Sequence, residues 1–181
     1  MYNNNQHNEP EFSQPVPPLS QKQEYDFQTQ KKVGKTGEAI VDQWLQIHGY
    51  RIEDVSDLPQ YQKAGIDRLL IRPNGSTATA EYKTDIKAKQ TGNLFFEACD
   101  DRNRPCWGWT SQADLWIFFI PQQEILVVEP GKFRLLVSQQ HPELPQKVVP
   151  NRGYSVTGLP VPLVKVRNIA SHVFKFPDVL F

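Results

Sequence analysis

Cysteine is scarce in this chain: only Cys99 and Cys106 occur in 181 residues. That is far below the density of a disulfide-stapled secreted scaffold, and the spacing is not the Cys-x-x-Cys of a zinc site. A reduced, cytoplasmic protein is the expectation. A charge excess of one sign is also missing, because 20 Lys and Arg balance 20 Asp and Glu. The balance argues against a protein that coats nucleic acid through bulk charge. It leaves room for an enzyme acting on nucleic acid, whose centre is acidic and whose basic contacts are local. No apolar run is long enough to span a bilayer, and the opening residues lack the charged-then-apolar pattern of a signal peptide, so no membrane partner is expected. No internal repeat is visible. The length suits one domain with a real core and is short for two.

The first 28 residues have few large aliphatics and no periodicity. They are rich in Asn, Gln and Pro (Asn3, Asn4, Asn5, Gln6, Pro15, Pro17, Pro18) and carry four acids, Glu9, Glu11, Glu24 and Asp26, against Lys22. Residues 1–28 therefore read as a disordered, acidic tail. Residues 29–137 read as the folded domain, and 138–181 as an irregular wrap on it, punctuated by Pro142, Pro145, Pro150, Pro160 and Pro162.

What is present is patterned. Val33, Gly37, Ile40, Val41, Trp44, Leu45 and His48 recur at three- and four-residue steps, one face of a helix that Gly49 would stop. Residues 50–55 suit a short strand and 56–65 a loop. Residues 66–72 and 77–83 form a hairpin, and 94–97, 115–120 and 125–128 are strand-like, with Pro130-Gly131 opening a helical stretch over 132–137. The outline is an α+β fold with a central mixed sheet of about five strands and flanking helices.

In the second arm of the hairpin Thr77, Thr79, Glu81 and Lys83 share one face, and Ala78, Ala80 and Tyr82 the other. A two-residue Asn74-Gly75 turn would set Asp67 against Tyr82, on the wrong side, unless a bulge intervened. A three-residue Pro73-Asn74-Gly75 loop is a type I turn with glycine in the left-handed position, and proline's fixed φ suits its first site. That loop pairs Arg72 with Ser76 and brings Asp67 across from Glu81. Two carboxylates facing across a ladder repel unless a cation lies between them. Mg²⁺, or Mn²⁺ as a substitute, suits such a site, because it takes few carboxylate oxygens and keeps its waters. Such an ion acidifies water and withdraws charge from a phosphoryl group, and Lys83 on the same face can assist the water or neutralise the transition state.

Asp67, then Glu81-x-Lys83 after a hairpin, with Gly37-Glu38 on the preceding helix, resembles the PD-(D/E)xK nuclease superfamily, the restriction endonuclease-like and Holliday-junction-resolvase-like group. Thr91–Glu97 and Ser111–Ile117 are similar to phage and mobile-element members, and the likeness runs from about Lys31 to Val128. It implies an αβββαβ core and Mg²⁺-dependent hydrolysis of DNA phosphodiester bonds. It also implies metal ligation by Asp67 and Glu81, with Lys83 as the catalytic cation and Glu38 near the metal. The sequence departs from the pattern in having Gly65-Ile66 in place of the namesake proline, and in showing no evident helix over 98–112.

Around this set, Lys87, Lys89, Arg102 and Arg104 are candidate contacts to nucleic acid, with Trp107 and Trp109 either stacking on unpaired bases or packing on the sheet. Glu97 is either a further acid of the site or a strand-end charge. His48 fits a packed or capping histidine. The segment after Val137 carries five cations against two acids, which suits either a DNA-backbone contact or a merely polar surface. The expectation is a metal-dependent DNA endonuclease acting with DNA as partner, as a monomer or a homodimer. The alternative is a catalytically inactive module of the same fold that binds nucleic acid or a protein. An RNA nuclease would present the same metal site.

Overall fold

The periodic stripe forms α1 (Phe27–Ile47), which buries Gly37, Val41, Trp44 and Leu45 against a sheet. The computed structural model describes residues 27–140, 144–151 and 154–175. Most of the tail expected over 1–28 lies outside these residues. Gly37 lets α1 approach closely: a Cβ there would collide with Thr84 and Phe119. After α1 the chain runs β1 (Arg51–Asp54), α2 (Pro59–Ala64), β2 (Arg68–Ile71) and β3 (Thr77–Thr84). The stretch expected as loop, 56–65, thus holds a turn and a half of helix. Pro59 at its start already has a helical φ, and Gly65 in the left-handed conformation ends it.

The hairpin register follows the three-residue turn. Arg72 N–H donates to the Ser76 carbonyl (2.8 Å), Gly75 has φ +83°, and Arg68, Leu69, Leu70 and Ile71 face Ala80, Thr79, Ala78 and Thr77. Next come α3 (Ala88–Thr91), β4 (Asn93–Asp100), α4 (Trp107–Thr110), β5 (Leu115–Ile120) and β6 (Glu124–Val128). The chain continues through α5 (Pro130–Gln140), β7 (Lys147–Asn151), β8 (Tyr154–Pro162), α6 (Leu163–Ile169) and β9 (His172–Lys175).

The central sheet is mixed and has six strands in the order β1-β2-β3-β5-β6-β9, antiparallel except where β3 runs parallel to β5. A second sheet, β4-β8-β7, packs on one face. The sequence outline of about five strands placed 94–97 in the central sheet, but β4 leaves it and pairs with β8 instead. The parallel step from β3 to β5 needs a crossover, and the chain makes it through α3, β4 and the single turn α4 rather than through a long helix.

β5 and β6 explain the two-sided core. Their uninterrupted apolar runs are buried on both faces, as expected of strands covered above and below. Trp116, Phe118 and Ile120 meet Leu94, Phe96, Phe133, Leu159 and Val166 on the second-sheet side, while Ile117 and Phe119 meet Val41, Trp44 and Leu45 on the α1 side.

The C-terminal region is not the irregular wrap expected from its prolines. Proline is tolerated where a strand has no neighbour on its N–H side. Pro150 lies on β7, an edge strand, and Pro160 and Pro162 lie on the end of β8 that pairs with β4 but extends past β7. β9 then returns to β6 as the sixth strand of the central sheet. Among the described residues, no helix is long and apolar enough to cross a membrane.

Candidate active site

The strand pair β2–β3 carries charge on both faces, and the two clusters differ. On the second-sheet face lie Glu81 and Lys83, two residues apart on β3 as the alternation requires. Glu81 is 5% exposed. Lys83 Nζ meets Glu81 Oε1 at 2.5 Å and stands 4.7 Å from the ring centroid of Trp107. The Lys83 side chain keeps 32% of its surface open.

Asp67 stands one residue before β2 and continues its register toward Glu81, but the ladder breaks there. Its backbone N–H donates to the Ala80 carbonyl (2.8 Å), and its carboxylate Oδ2 accepts the Tyr82 N–H (2.7 Å) that a strand neighbour would otherwise take. Burial first, and then the Glu81 carboxylate, push the Asp67 carboxyl up to about 6, against the opposing pull of the Tyr82 amide and the Lys83 charge. The register therefore leaves Asp67 and Glu81 within each other's field, with a side-chain-to-backbone bond in place of a regular facing pair.

Glu97 approaches the same charges from β4. Its carboxyl is raised, mainly by burial and against the nearby Lys83, with Glu81 adding to the rise. A β-bulge between Glu97 and Cys99 interrupts the β4–β8 register at this point. Bulges commonly re-aim a side chain beside a functional site. Lys83 itself is a balance: burial works against its charge, but Glu81, Asp67 and Glu97 outweigh it, and its pKa is raised. The ammonium is held charged.

On the α1 face stands a cluster that the sequence did not disclose. Arg68, 3% exposed, spreads its guanidinium over three carboxylates. Nε donates to Asp42 (3.0 and 3.2 Å), Nη1 to Asp54 Oδ1 (2.9 Å) and Nη2 to Glu38 Oε2 (2.9 Å). Lys35 Nζ adds a second cation on Glu38 Oε2 at 3.0 Å. Glu38, expected near the metal, is thus engaged by Arg68 and Lys35, although its charge still reaches Asp67. A signal was available: Glu38 and Asp42 are four apart on α1 and flank its buried stripe, so they call for a cation from the sheet below.

The candidate nucleic-acid contacts separate. Lys87 caps α3 and Lys89 lies within it, both exposed and just beyond the end of β3. Arg102 is exposed, whereas Arg104 is tied back to Asp100 at 2.6 Å. Trp107 packs against Phe96 and Trp116 as well as over Lys83, and Trp109, 39% exposed, meets Phe96 edge-on at 5.0 Å. His48 donates from Nδ1 to the Trp44 carbonyl (2.8 Å) and packs on the Trp44 ring.

The donor set suits a hard divalent ion of one kind. Among the described residues no group of three or more His, Cys, Asp or Glu is arranged as a ready-made cage. Mg²⁺ seldom needs one, since it binds through one or two carboxylates and completes its shell with water and substrate phosphate. Asp67 and Glu81 supply two, one of them reluctant to ionise beside the other. Comparisons of the chain with protein-family models, with curated proteins and with solved structures each return no match.

Proposed function

We propose that this protein is a metal-dependent endonuclease that hydrolyses DNA phosphodiester bonds, on a restriction endonuclease-like core. The observation that carries the reading is the joint position of Asp67, Glu81 and Lys83: two acids and a lysine in one another's field, at the end of a hairpin whose turn sets their register. The topology supports it: a helix, three antiparallel strands, then a strand parallel to the third. The crossover through β4 and α4 is where this chain departs from the αβββαβ pattern.

Asp67 and Glu81 would hold Mg²⁺ or Mn²⁺. When bound, such an ion supplies Lewis acidity toward a phosphoryl oxygen and an acidified water. Lys83 presents a fixed positive charge, gripped by Glu81 on one side and the Trp107 ring on the other, where negative charge develops on the phosphoryl group. Burial around the acids lowers the local dielectric and strengthens each of these interactions. Lys87, Lys89 and Arg102 are the exposed cations that would meet the phosphate backbone.

A second reading is an inactive module of the same fold that binds nucleic acid or a protein. One experiment separates the two. Wild type, Asp67→Asn and Lys83→Ala are incubated with labelled duplex, junction and single-stranded DNA, and with RNA, in Mg²⁺ or EDTA. The nuclease reading expects Mg²⁺-dependent cleavage by wild type and a loss of about 10²-fold or more in each variant. Cleavage equal in all three would sink the assignment, and binding without cleavage would establish the module.

A further inference from the structure

The α1-face cluster reaches through the strand to the candidate metal site. Besides its three carboxylates, Arg68 uses Nη1 to donate to the backbone carbonyl of Asp67 at 3.0 Å. The same carbonyl accepts the Val55 N–H at 3.0 Å. The Arg68 guanidinium also lies over the Tyr82 ring, 5.3 Å from its centroid, and Tyr82 is the residue whose N–H takes the Asp67 carboxylate. Asp67 is therefore held at both ends by a connected set: its carbonyl by Arg68, its carboxylate by the backbone of the residue that Arg68 covers.

That support matters because the sheet does not provide it. β2 begins at Arg68, so Asp67 lies where regular pairing has ended. A carboxylate that must face Glu81 across a broken ladder needs another restraint on its backbone. Arg68 anchors that restraint in two other elements, through Glu38 and Asp42 of α1 and Asp54 of β1. Only arginine can do this with one side chain, since its planar fork directs donors to several acceptors, whereas a lysine is a single point of charge.

We propose that Arg68 is a positioning residue for the cation site: by tying α1 and β1 to the Asp67 backbone, it fixes where the Asp67 carboxylate stands relative to Glu81. The inference rests on the proposed cation site at Asp67 and Glu81. Glu38 then serves that site through Arg68 rather than by touching the ion. Groups of this kind, which orient a ligand without contacting the metal, typically govern affinity by about 10- to 100-fold.

The test measures Mn²⁺ affinity directly from the ion's paramagnetic resonance signal, with melting temperature recorded beside it. Arg68→Lys keeps a cation but removes the fork, and it is expected to weaken Mn²⁺ binding about 10-fold or more. Val41→Ala opens a cavity in the same helix–sheet interface; it is expected to lower the melting temperature while Mn²⁺ affinity stays as in wild type. A purely structural Arg68 would behave like Val41. If Arg68→Lys does not fold, Glu38→Gln carries the test, with a several-fold weakening expected from loss of one ion pair on the fork. Wild-type affinity in Arg68→Lys or Glu38→Gln would overturn the proposal, as would an equal loss in Val41→Ala. Equal Mn²⁺ binding by wild type and Asp67→Asn, or none by wild type, would instead remove the cation site itself, and the positioning role with it.

Discussion

The two faces of the β2–β3 pair each set one principal cation among three carboxylates, yet one set is closed and the other open. On the α1 face, Arg68 meets Glu38, Asp42 and Asp54 at 2.9–3.0 Å, and Lys35 adds a further charge. On the second-sheet face, Lys83 makes one ion pair among the described residues, with Glu81, and has Asp67 and Glu97 within its field but not ion-paired to it. Within the closed set the Asp54 carboxyl is lowered, in spite of burial, by Ser56 and Arg68, and burial raises the Asp42 carboxyl against the pull of Arg68; the Asp67 carboxyl is pushed up to about 6 by burial and by a second carboxylate, Glu81. A satisfied cluster holds a fold together. An unsatisfied one is kept at a cost to stability, which the cation proposed for Asp67 and Glu81 would offset.

If the open cluster is functional, its variants should lose activity and keep stability, whereas variants of the closed cluster should lose stability along with whatever cation affinity Arg68 confers on the site. The largest effect is expected for Asp67→Asn, with a loss of cleavage of about 10²-fold or more, read in a Mg²⁺-dependent assay. Its melting temperature without metal should equal or exceed that of wild type, because a buried carboxylate opposed by Glu81 has been neutralised. Next in size is Arg68→Ala. Removing the buried guanidinium leaves Asp42 without its cation and Glu38 with Lys35 alone, and a cost of about 3–5 kcal/mol is expected. For a chain of this length that is a fall of roughly 10 °C in melting temperature, measured by thermal denaturation. Similar melting temperatures for the two variants would erase the distinction between the faces.

The smallest effect is a pH-dependent one, and it samples the open cluster from its rim. Burial first, and then Glu97 and Asp100, push the Cys106 thiol up to about 11 from 9.0. A raised thiol pKa favours the protonated form, so at pH 8 Cys106 should carry about a hundredfold less thiolate than an ordinary cysteine. In a Cys99→Ser background its reaction with a disulfide reagent should be slow at pH 8 and quicken as pH rises toward 11. Glu97→Gln removes one of the opposing charges and should quicken it several-fold at pH 8. A rate indifferent to Glu97 would mean that this carboxylate carries no charge felt at Cys106.

The sequence disclosed what short-range chemistry decides. The α1 stripe was legible because its apolar steps match a helical period and Gly49 ends it. The hairpin register was legible because Pro73, Asn74 and Gly75 each suit one site of one turn. Two apolar runs joined by a turn revealed β5 and β6. Long-range choices were hidden. Nothing local in Leu94–Glu97 says that it pairs with β8, some sixty residues later, rather than with the central sheet. The prolines of the C-terminal region argued against strands because their neighbours were unknown: Pro160 and Pro162 fit only where β7 has stopped. The Arg68 clamp was missed for a related reason. Alternation placed Arg68 opposite Asp67, but its partners lie 14 to 30 residues away on two other elements. For the same reason the ion pair of Glu38 with Arg68 was not legible.

The difference between the faces comes down to whether the open cluster takes a cation. The direct measurement is the melting temperature of wild type and Asp67→Asn in rising Mg²⁺, with EDTA reversal. An ion that binds only the folded state stabilises it by about 1.4 kcal/mol at ten times its dissociation constant. Wild type should therefore gain a few degrees that EDTA removes, and Asp67→Asn should gain almost none. An equal gain in both proteins, or none in either, would contradict a cation site at Asp67 and Glu81.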